Sequence, residues 1–422
     1  MEISKTIVGF FLFMVSGYVM AQADNELPAR QLSVMELSQG DSVGIPDEFN
    51  YALDHMLSNW LLTKIKKTDC DTTLEVPLVS DSIINLRLRR MPYVMEMPFN
   101  PYVRSFIDLY TVRRRTQLSY LLGLSDYYFK IFEHALEKAK LPLELKYLPV
   151  IESALRPTAY SRAGAAGLWQ FMVGTGKMYG LEINSLIDER MDPYKSTNAA
   201  VQYLKDLYAI YEDWHLVIAA YNCGPGNVNK AIRRAGGKQD YWTIYPYLPA
   251  ETRGYVPIFI AANYAMHYAN AHNVCKTPIE FPKVADTIVV RQRLHLEQIA
   301  SVMELPIEQL RIMNPQYRRD IIPGDMRPYS VTLPMNTTGK FIDKLTDIAT
   351  YKADSLINNR RTEIAIKTPA AGSQNVIYHR VRSGQTLGGI AARYGVSVAK
   401  LRSWNNIRGS MIRAGQRLKI YK

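Results

Sequence analysis

The sequence predicts a mainly α-helical protein in which one helical domain is followed by small α+β modules of strand–helix–helix–strand order. Three observations carry this reading. Apolar residues recur at spacings of three and four through residues 97–275, punctuated by Gly and Pro, with no strand alternation. A repeat runs at a constant offset of 91 residues through the C-terminal part of the chain. A polar stretch, residues 353–376, ends in Pro369, Ala370, Ala371, Gly372 and Ser373 and separates the two copies as a linker.

The chain has 422 residues, 47% of them hydrophobic, which suits about two to four domains. That composition excludes a disordered, collagenous or disulfide-scaffold protein. Three Cys exclude a Cys-rich zinc protein. Cys70, Cys223 and Cys275 leave two arrangements open, a Cys223–Cys275 bridge or buried free thiols, of which free thiols are the more ordinary. The seven His are scattered, and no metal site or organic cofactor is expected.

Residues 1–23 read as an export signal. Lys5 supplies the charge, 7–15 the apolar core, and Ala21-Gln22-Ala23 the cleavage site. The apolar run is short of the roughly 20 residues a membrane span needs, and no Cys at the cut invites a lipid. The expectation is an exported, periplasmic protein, associated with the cell wall or outer membrane, with no transmembrane segment after cleavage. Residues 24–96 form a helical lead-in, in which 49–65 places Leu53, Met56, Leu57, Trp60 and Leu61 on one face. Within 97–275, helices are expected over 104–110, 126–139, 143–151 and 199–211.

In the repeat, Val290 aligns with Val381, Leu296 with Leu387, Ile299-Ala300 with Ile390-Ala391, Leu310 with Leu401, Asn314 with Asn405 and Gly324 with Gly415. An Asn and a Gly in register with the apolar positions make one supersecondary unit used twice, at 286–336 and 377–422, with a helix and linker over 337–376 between them. In the later copy 378–381 reads as a strand. Thr386 caps a helix ending at Tyr394, Ser397 caps another ending at Trp404, and Gly415 turns into a strand at 417–421. This unit resembles the LysM module, whose pattern is carried by Tyr378, Val381, Gly384, Thr386-Leu387, Ile390-Ala391, Leu401, Asn405, Ile412 and Gly415-Gln416-Arg417-Leu418. Gln385 stands where an acidic residue is usual. The resemblance implies binding of N-acetylglucosamine-containing glycans; the earlier copy is degenerate, with Arg293 in place of the turn Gly, which leaves open whether it keeps the sugar along with the fold.

The chemistry lies between residues 145 and 255. A helix starting at Leu143 delivers Glu152-Ser153 at its C-terminal end, among apolar Tyr147, Leu148, Val150 and Ile151. The negative end of a helix and an apolar setting both favour the protonated carboxyl, as a general acid near neutral pH requires. Ser161 and Ala163-Gly164-Ala165-Ala166 make a small-residue turn that lets a ligand approach closely, and Gly167-Leu168-Trp169-Gln170 is expected to begin the next helix. Gln170 can bond an amide such as an N-acetyl group, and Trp169 is read as core. Tyr221 and Asn222 end a helix before the Cys223-Gly224-Pro225-Gly226 turn, where they can face a groove. Asp188, Glu189 and Asp192 accompany Arg190 and read as a structural ion-pair network, leaving Glu152 as the one well-placed carboxylate.

Glu152-Ser153, Gly167-Leu168-Trp169-Gln170 and Ala220-Tyr221-Asn222, in this order and spacing, resemble the lytic murein transglycosylases. Leu148-Pro149, Asp188-Glu189-Arg190 and Glu251-Thr252-Arg253-Gly254-Tyr255-Val256-Pro257 are similar to the D-type subgroup, which also carries C-terminal LysM modules. The resemblance implies a lysozyme-like fold over 97–275 and a monomer acting on the GlcNAc/MurNAc strands of peptidoglycan. It implies cleavage of the MurNAc-β-1,4-GlcNAc bond without water, the muramoyl C6 hydroxyl closing to a 1,6-anhydro end. Glu152 would be acid and then base, with Ser161, Gln170, Tyr221, Asn222 and Tyr255 contacting the sugar or orienting the acid. A lysozyme-type hydrolase and a wall-binding scaffold without activity are the competing readings; nucleic acid is excluded as a partner by export.

The formal charge of +12 is uneven: residues 377–422 hold ten Lys or Arg and no Asp or Glu, leaving +2 for the rest. Such a tail suits a polyanionic wall polymer. Binding of residues 377–422 to isolated peptidoglycan is therefore expected to weaken as ionic strength rises from about 0.01 to 1 M, over which the Debye length falls from ~30 to ~3 Å. A sedimentation assay with unchanged binding across that series would remove any role for the charge.

Overall fold

A computed structural model describes residues 76–279, 284–357 and most of 376–421. The expected signal at 1–23, the helix at 49–65 and most of the 353–376 linker lie outside the described residues. The described part of the lead-in contains α1 (Asp81–Arg90), buried through Ile84 and Leu88.

The helical domain then runs through α2 (Pro101–Asp108), a π-turn (Leu109–Arg113) and the long α3 (Arg115–Ala139). A 3-10 turn (Leu143–Tyr147) leads into α4 (Leu148–Ser153). Next come α5 (Val173–Met178), α6 (Pro193–Tyr211), α7 (Trp214–Cys223) and α8 (Pro225–Arg234). Two short helices, α9 (Tyr241–Ile244) and α10 (Ala250–Arg253), precede α11 (Tyr255–His267). The starts are chemically marked. Asn100 accepts from the Val103 N–H, Asp192 from those of Tyr194 and Lys195, and Asp213 from that of Leu216, each supplying a partner for an otherwise unpaired helical donor. Pro101 and Pro193 occupy first-turn positions where no N–H is needed.

Helix α11 is the axis of the domain. Every residue from Tyr255 to Met266 is buried, and the helix packs on α2, α7 and α4. A helix apolar on all sides is stable only inside a larger core. Its N-terminus, at Tyr255, lies beside the end of α4. Between α3 and the α4–α5 connection, Phe132 packs edge-on against Trp169 with ring centroids 5.2 Å apart. Trp169 is fully buried and donates to Thr197 Oγ1 at 2.9 Å, so it is core as predicted.

The expected helix at 167–170 does not form. These residues make turns, and α5 begins only at Val173. Gly167 (φ +87°) and Gln170 (φ +47°) sit in the left-handed region, which interrupts a right-handed helix. Of the other expected helices of this domain, 126–139 and 199–211 fall inside the longer α3 and α6, 104–110 runs from α2 into the π-turn, and 143–151 is a 3-10 turn followed by α4. The Cys223–Cys275 bridge is also absent: Cys275 is disulfide-bonded, while Cys223 is a free thiol.

The earlier copy of the repeat folds as β1 (Ala285–Val290), β2 (Arg293–His295), α12 (Leu296–Met303), α13 (Ile307–Met313), β3 (Ile321–Pro323) and β4 (Tyr329–Pro334). Strand β1 pairs antiparallel with β4 from Ala285↔Pro334 to Val290↔Tyr329, and β2 pairs with β3. Helices α14 (Thr338–Asp343) and α15 (Leu345–Thr350) cover it through Phe341 and Ile348; α16 (Ala353–Leu356) follows. The later copy has β5 (Val376–Arg380), α17 (Leu387–Tyr394), α18 (Val398–Trp404) and β6 (Arg417–Tyr421), with β5 antiparallel to β6.

The repeat holds at the level of hydrogen bonds. Asn314 Nδ2 donates to the carbonyls of Leu310 and Thr332, and its Oδ1 accepts from the Thr332 N–H. Asn405 does the same with Leu401 and Lys419. The strand partner lies 18 residues on in the first copy and 14 in the second, so the first reaches its last strand by a connection four residues longer. The pairs Val290/Val381, Leu296/Leu387, Ile299/Ile390 and Leu310/Leu401 are all buried.

One buried base ties the fold to pH. His272 is held at about pKa 4, below its ordinary 6.5, because burial disfavours the imidazolium and Arg87, Arg104 and Arg115 repel it. The unfolded chain takes up this proton first, so the stabilisation is complete above pH ~6.5 and is lost as pH falls toward 4. The unfolding temperature of the helical domain is expected to drop across that window, and to drop less in His272→Gln. Equal pH profiles for the two proteins would assign the acid sensitivity elsewhere.

Candidate functional site

Glu152 stands at the last turn of a six-residue helix whose other members are all buried. The helix ends sharply. Ala154 and Leu155 both adopt left-handed backbone (φ +51° and +57°), and their N–H groups close back on Val150 and Pro149 at 3.2 Å each. Non-glycine residues in this region cost roughly 1–2 kcal/mol each, and such strain persists where packing over-determines it. Leu155, fully buried, is the anchor that holds it. The result is a half-buried carboxylate presented to one side of the helix end.

That side is a cleft of about 510 Å³. Five of the six predicted site residues line it: Glu152, Ser161, Gln170, Tyr221 and Asn222. The sixth, Tyr255, does not line the cleft. It is buried beneath the acid at the start of α11, and its hydroxyl donates a hydrogen bond to Glu152 Oε1.

The loop 159–171 forms one wall. Bridges Tyr160↔Ala166 and Ala166↔Phe171 fold it on itself. Ser161 Oγ accepts from the Ala165 N–H at 3.1 Å, and Gln170 Nε2 donates to the Gly167 carbonyl at 2.8 Å. Gly167 is required there: a Cβ would lie 1.8 Å from the Arg190 carbonyl oxygen. Ser153 Oγ lies 2.9 Å from the Leu168 carbonyl and 3.0 Å from that of Pro149, and the Tyr221 hydroxyl donates to the Trp169 carbonyl at 2.7 Å. The wall is thus tied both to the acid's helix and to α7.

Tyr221 has its hydroxyl pKa held well above the ordinary value, first by burial and then by the negative charge of Glu152, so it acts as a neutral donor. Asn222 Oδ1 accepts from Thr252 Oγ1 at 2.8 Å, which fixes its carboxamide. Burial also raises the Cys223 thiol pKa.

The Asp188 cluster lies outside the cleft lining and forms the expected ion-pair network. Asp188 binds Arg190 at 2.7 Å and Arg318 at 2.6 Å. Burial opposes its charge, but the hydrogen bonds and charges of the two guanidinium groups prevail and hold its pKa below the ordinary value. Glu189 pairs with Lys195 at 2.5 Å, and Asp192 caps α6.

Several lining residues carried no usable signal in the sequence. Tyr203 and Thr175 join the cleft from α6 and α5, and Thr252 from α10. Glu251 is the consequential one. In the sequence it stands only within a flanking motif, yet it places a second carboxylate on the cleft, exposed to solvent at the rim. Glu152 is therefore not the only acid there.

Residues 129–244 match the Transglycosylase SLT domain, 284–350 the lytic transglycosylase MltD LysM-like domain and 379–420 the LysM domain. The chain is 31% identical over 330 residues to the membrane-bound lytic murein transglycosylase D of Escherichia coli K12, an overlap covering 77% of this chain and 70% of that protein. It is 34% identical over 116 residues to the soluble lytic murein transglycosylase of the same strain, covering 26% of this chain and 18% of that one. Among solved structures, the 70 kDa soluble lytic transglycosylase of Escherichia coli is similar at 28% identity and a TM-score of 0.30, over 34% of this chain and 25% of that one.

Replacing Tyr255 by Phe keeps the ring in its buried position and removes only the hydroxyl on the acid. A hydrogen bond to a charged group contributes about 1.5–3 kcal/mol, so kcat is expected to fall roughly ten- to hundredfold with little change in KM or melting temperature. Unchanged kcat would show that the acid needs no support from α11.

Proposed function

Because the chain belongs to the lytic murein transglycosylases of the D type, we propose that its cleft cuts the MurNAc-β-1,4-GlcNAc bond of peptidoglycan without water, leaving 1,6-anhydro-MurNAc ends. The observation that carries the reading is Glu152, half-buried at a strained helix end, bonded by Tyr255 from below and open to the polar cleft. In this mechanism the protonated carboxyl donates to the departing glycosidic oxygen. The resulting carboxylate then takes the proton from the muramoyl C6 hydroxyl as that oxygen closes on the anomeric carbon. Proton given and proton taken balance, so Glu152 ends as it began. An intramolecular nucleophile has an effective concentration of up to ~10⁵–10⁸ M in favourable geometry, which removes the need for a recruited water.

The other residues have complementary parts. Ser161, Gln170 and Asn222 offer hydroxyl and amide groups to the sugars, and Tyr221 offers a neutral phenol beside the acid. The expected export signal puts the enzyme in the periplasm, where its substrate is, and the later module adds glycan binding that raises the local concentration of strands at the cleft.

One observation favours hydrolysis instead. Glu251 is a second carboxylate on the same cleft, and ordinary glycosidases use two. Its exposure argues against it: a carboxylate at the solvent rim lacks the enclosed setting in which a base aligns a water. Mass analysis of digested peptidoglycan decides between them. Glu152→Gln is expected to lower activity by about 10²–10⁴-fold. Glu251→Gln is expected to retain most of it and to yield the same anhydro ends. Reducing ends in the wild-type digest, lost in Glu251→Gln, would instead establish hydrolysis.

A further inference from the structure

The first βααβ module is fused to the helical domain by contacts that lead to the cleft wall. At its centre Arg318, from the module, donates through Nη2 to Asp188 Oδ2 at 2.6 Å. Main-chain bonds flank this contact: the Asp188 N–H donates to the Gln316 carbonyl at 2.9 Å and the Arg318 N–H to the Leu186 carbonyl at 2.7 Å. Leu186 and Ile187 are members of the module's own apolar core. At the edge, Arg327 and Tyr329 bind Glu182. A carbohydrate-binding module that merely tethers substrate needs none of this.

From Asp188 the chain of contacts continues inward. Asp188 accepts from Arg190 Nε at 2.8 Å and Nη2 at 2.7 Å, orienting the guanidinium edge-on. Arg190 Nη1 then donates to the Gly164 carbonyl at 2.8 Å and the Phe171 carbonyl at 2.9 Å, and Nη2 to the Tyr160 hydroxyl at 3.1 Å. Gly164 and Phe171 bracket most of the wall that carries Ala165 and Gln170 into the cleft. That wall contains three left-handed residues, Gly164, Gly167 and Gln170, and left-handed backbone at Gln170 needs outside support.

We infer that the module is a structural part of the cleft, and that Arg318 is a positioning residue which sets the 161–171 wall through Asp188 and Arg190. The inference rests on the reading of the cleft as the glycan-cutting site. It gives the degenerate copy a purpose that requires no sugar binding: it steadies the groove in which Ser161 and Gln170 meet the substrate. Arg318 is suited to a test because its removal leaves Asp188 still paired with Arg190, so the buried carboxylate keeps a counter-charge.

The experiment compares full-length wild type, Arg318→Ala, Arg318→Lys and Glu152→Gln on soluble, uncross-linked glycan strands, with melting temperature measured in parallel. Arg311→Ala is the control, since Arg311 pairs with Glu308 and Asp320 inside the module. Arg318→Ala is expected to raise KM about tenfold, the kind of loss that follows a misplaced binding wall, while kcat stays within about threefold. Arg318→Lys recovers part of the loss, and Arg311→Ala behaves as wild type. Unchanged KM in Arg318→Ala overturns the inference. So does a fall in kcat alone that tracks a lowered melting temperature, because that reports lost folded protein. If Glu152→Gln retains full activity, the reading of the cleft itself fails; an inactive Glu152→Gln beside a normal Arg318→Ala rejects the positioning role alone.

Discussion

The guanidinium of Arg190 is the contact on which the cleft's shape depends. A charge removed from water is tolerated when each of its donors is matched, and here every arm is occupied: Asp188 by Nε and Nη2, two main-chain carbonyls by Nη1 and a phenol by Nη2. The side chains of both Arg190 and Asp188 are fully shielded from solvent. The two carbonyls flank the left-handed Gly167 and Gln170 in a loop that its own bridges, Ser153 and Tyr221 also tie. The buried ion pair adds to those ties from the far side and helps give an irregular stretch of small residues a definite shape. The same arginine's own carbonyl is the surface against which Gly167 packs, so the residue shapes the loop from two sides.

The acid is built on a similar principle of local strain held by distant packing. A helix of six residues has little dipole to offer, and the surroundings of Glu152 are its partial burial, the donated hydroxyl of Tyr255 and the nearby neutral phenol of Tyr221. Tyr255 reaches it because α11 is apolar all round and is fixed at the centre of the domain, so its first residue is placed by the whole core. The acid, the wall and the tyrosine helix end are then linked through main-chain carbonyls, Leu168 to Ser153 and Trp169 to Tyr221, rather than through flexible side-chain pairs.

The two copies of the repeat illustrate how a fold is retained while its surroundings change. In both, one Asn replaces missing strand pairing by bonding a helix carbonyl and both main-chain groups of a strand residue. No other side chain of that size presents an acceptor and two donors in one plane, which is why Asn314 and Asn405 stand in register despite otherwise limited identity. The copy next to the helical domain has buried Tyr317 against the 182–190 segment and set the partly exposed Arg318 on Asp188.

Much of this was legible in the sequence, because periodicity and capping are local. Three-and-four spacing disclosed the helices, the 91-residue offset disclosed the modules, and the three short blocks singled out Glu152, Gln170, Tyr221 and Asn222, which with Ser161 of the small-residue turn do converge on one cleft. What failed to be legible was whatever depends on through-space meeting. The helix expected at 167–170 was overruled by a carbonyl 23 residues away in sequence, Glu251 reached the cleft rim only through the packing of α10, and nothing in the order of residues couples Arg318 to a wall some 150 residues earlier. Sequence by itself determined most of the helices and strands and a short set of candidate side chains, since these follow from nearest-neighbour sterics and burial patterning. The tertiary structure alone decided which of those side chains share a cleft, that Tyr255 supports the acid from beneath, and that a module resembling a separate binder is joined to the groove, because distances between remote residues are set by core packing and not by their spacing along the chain.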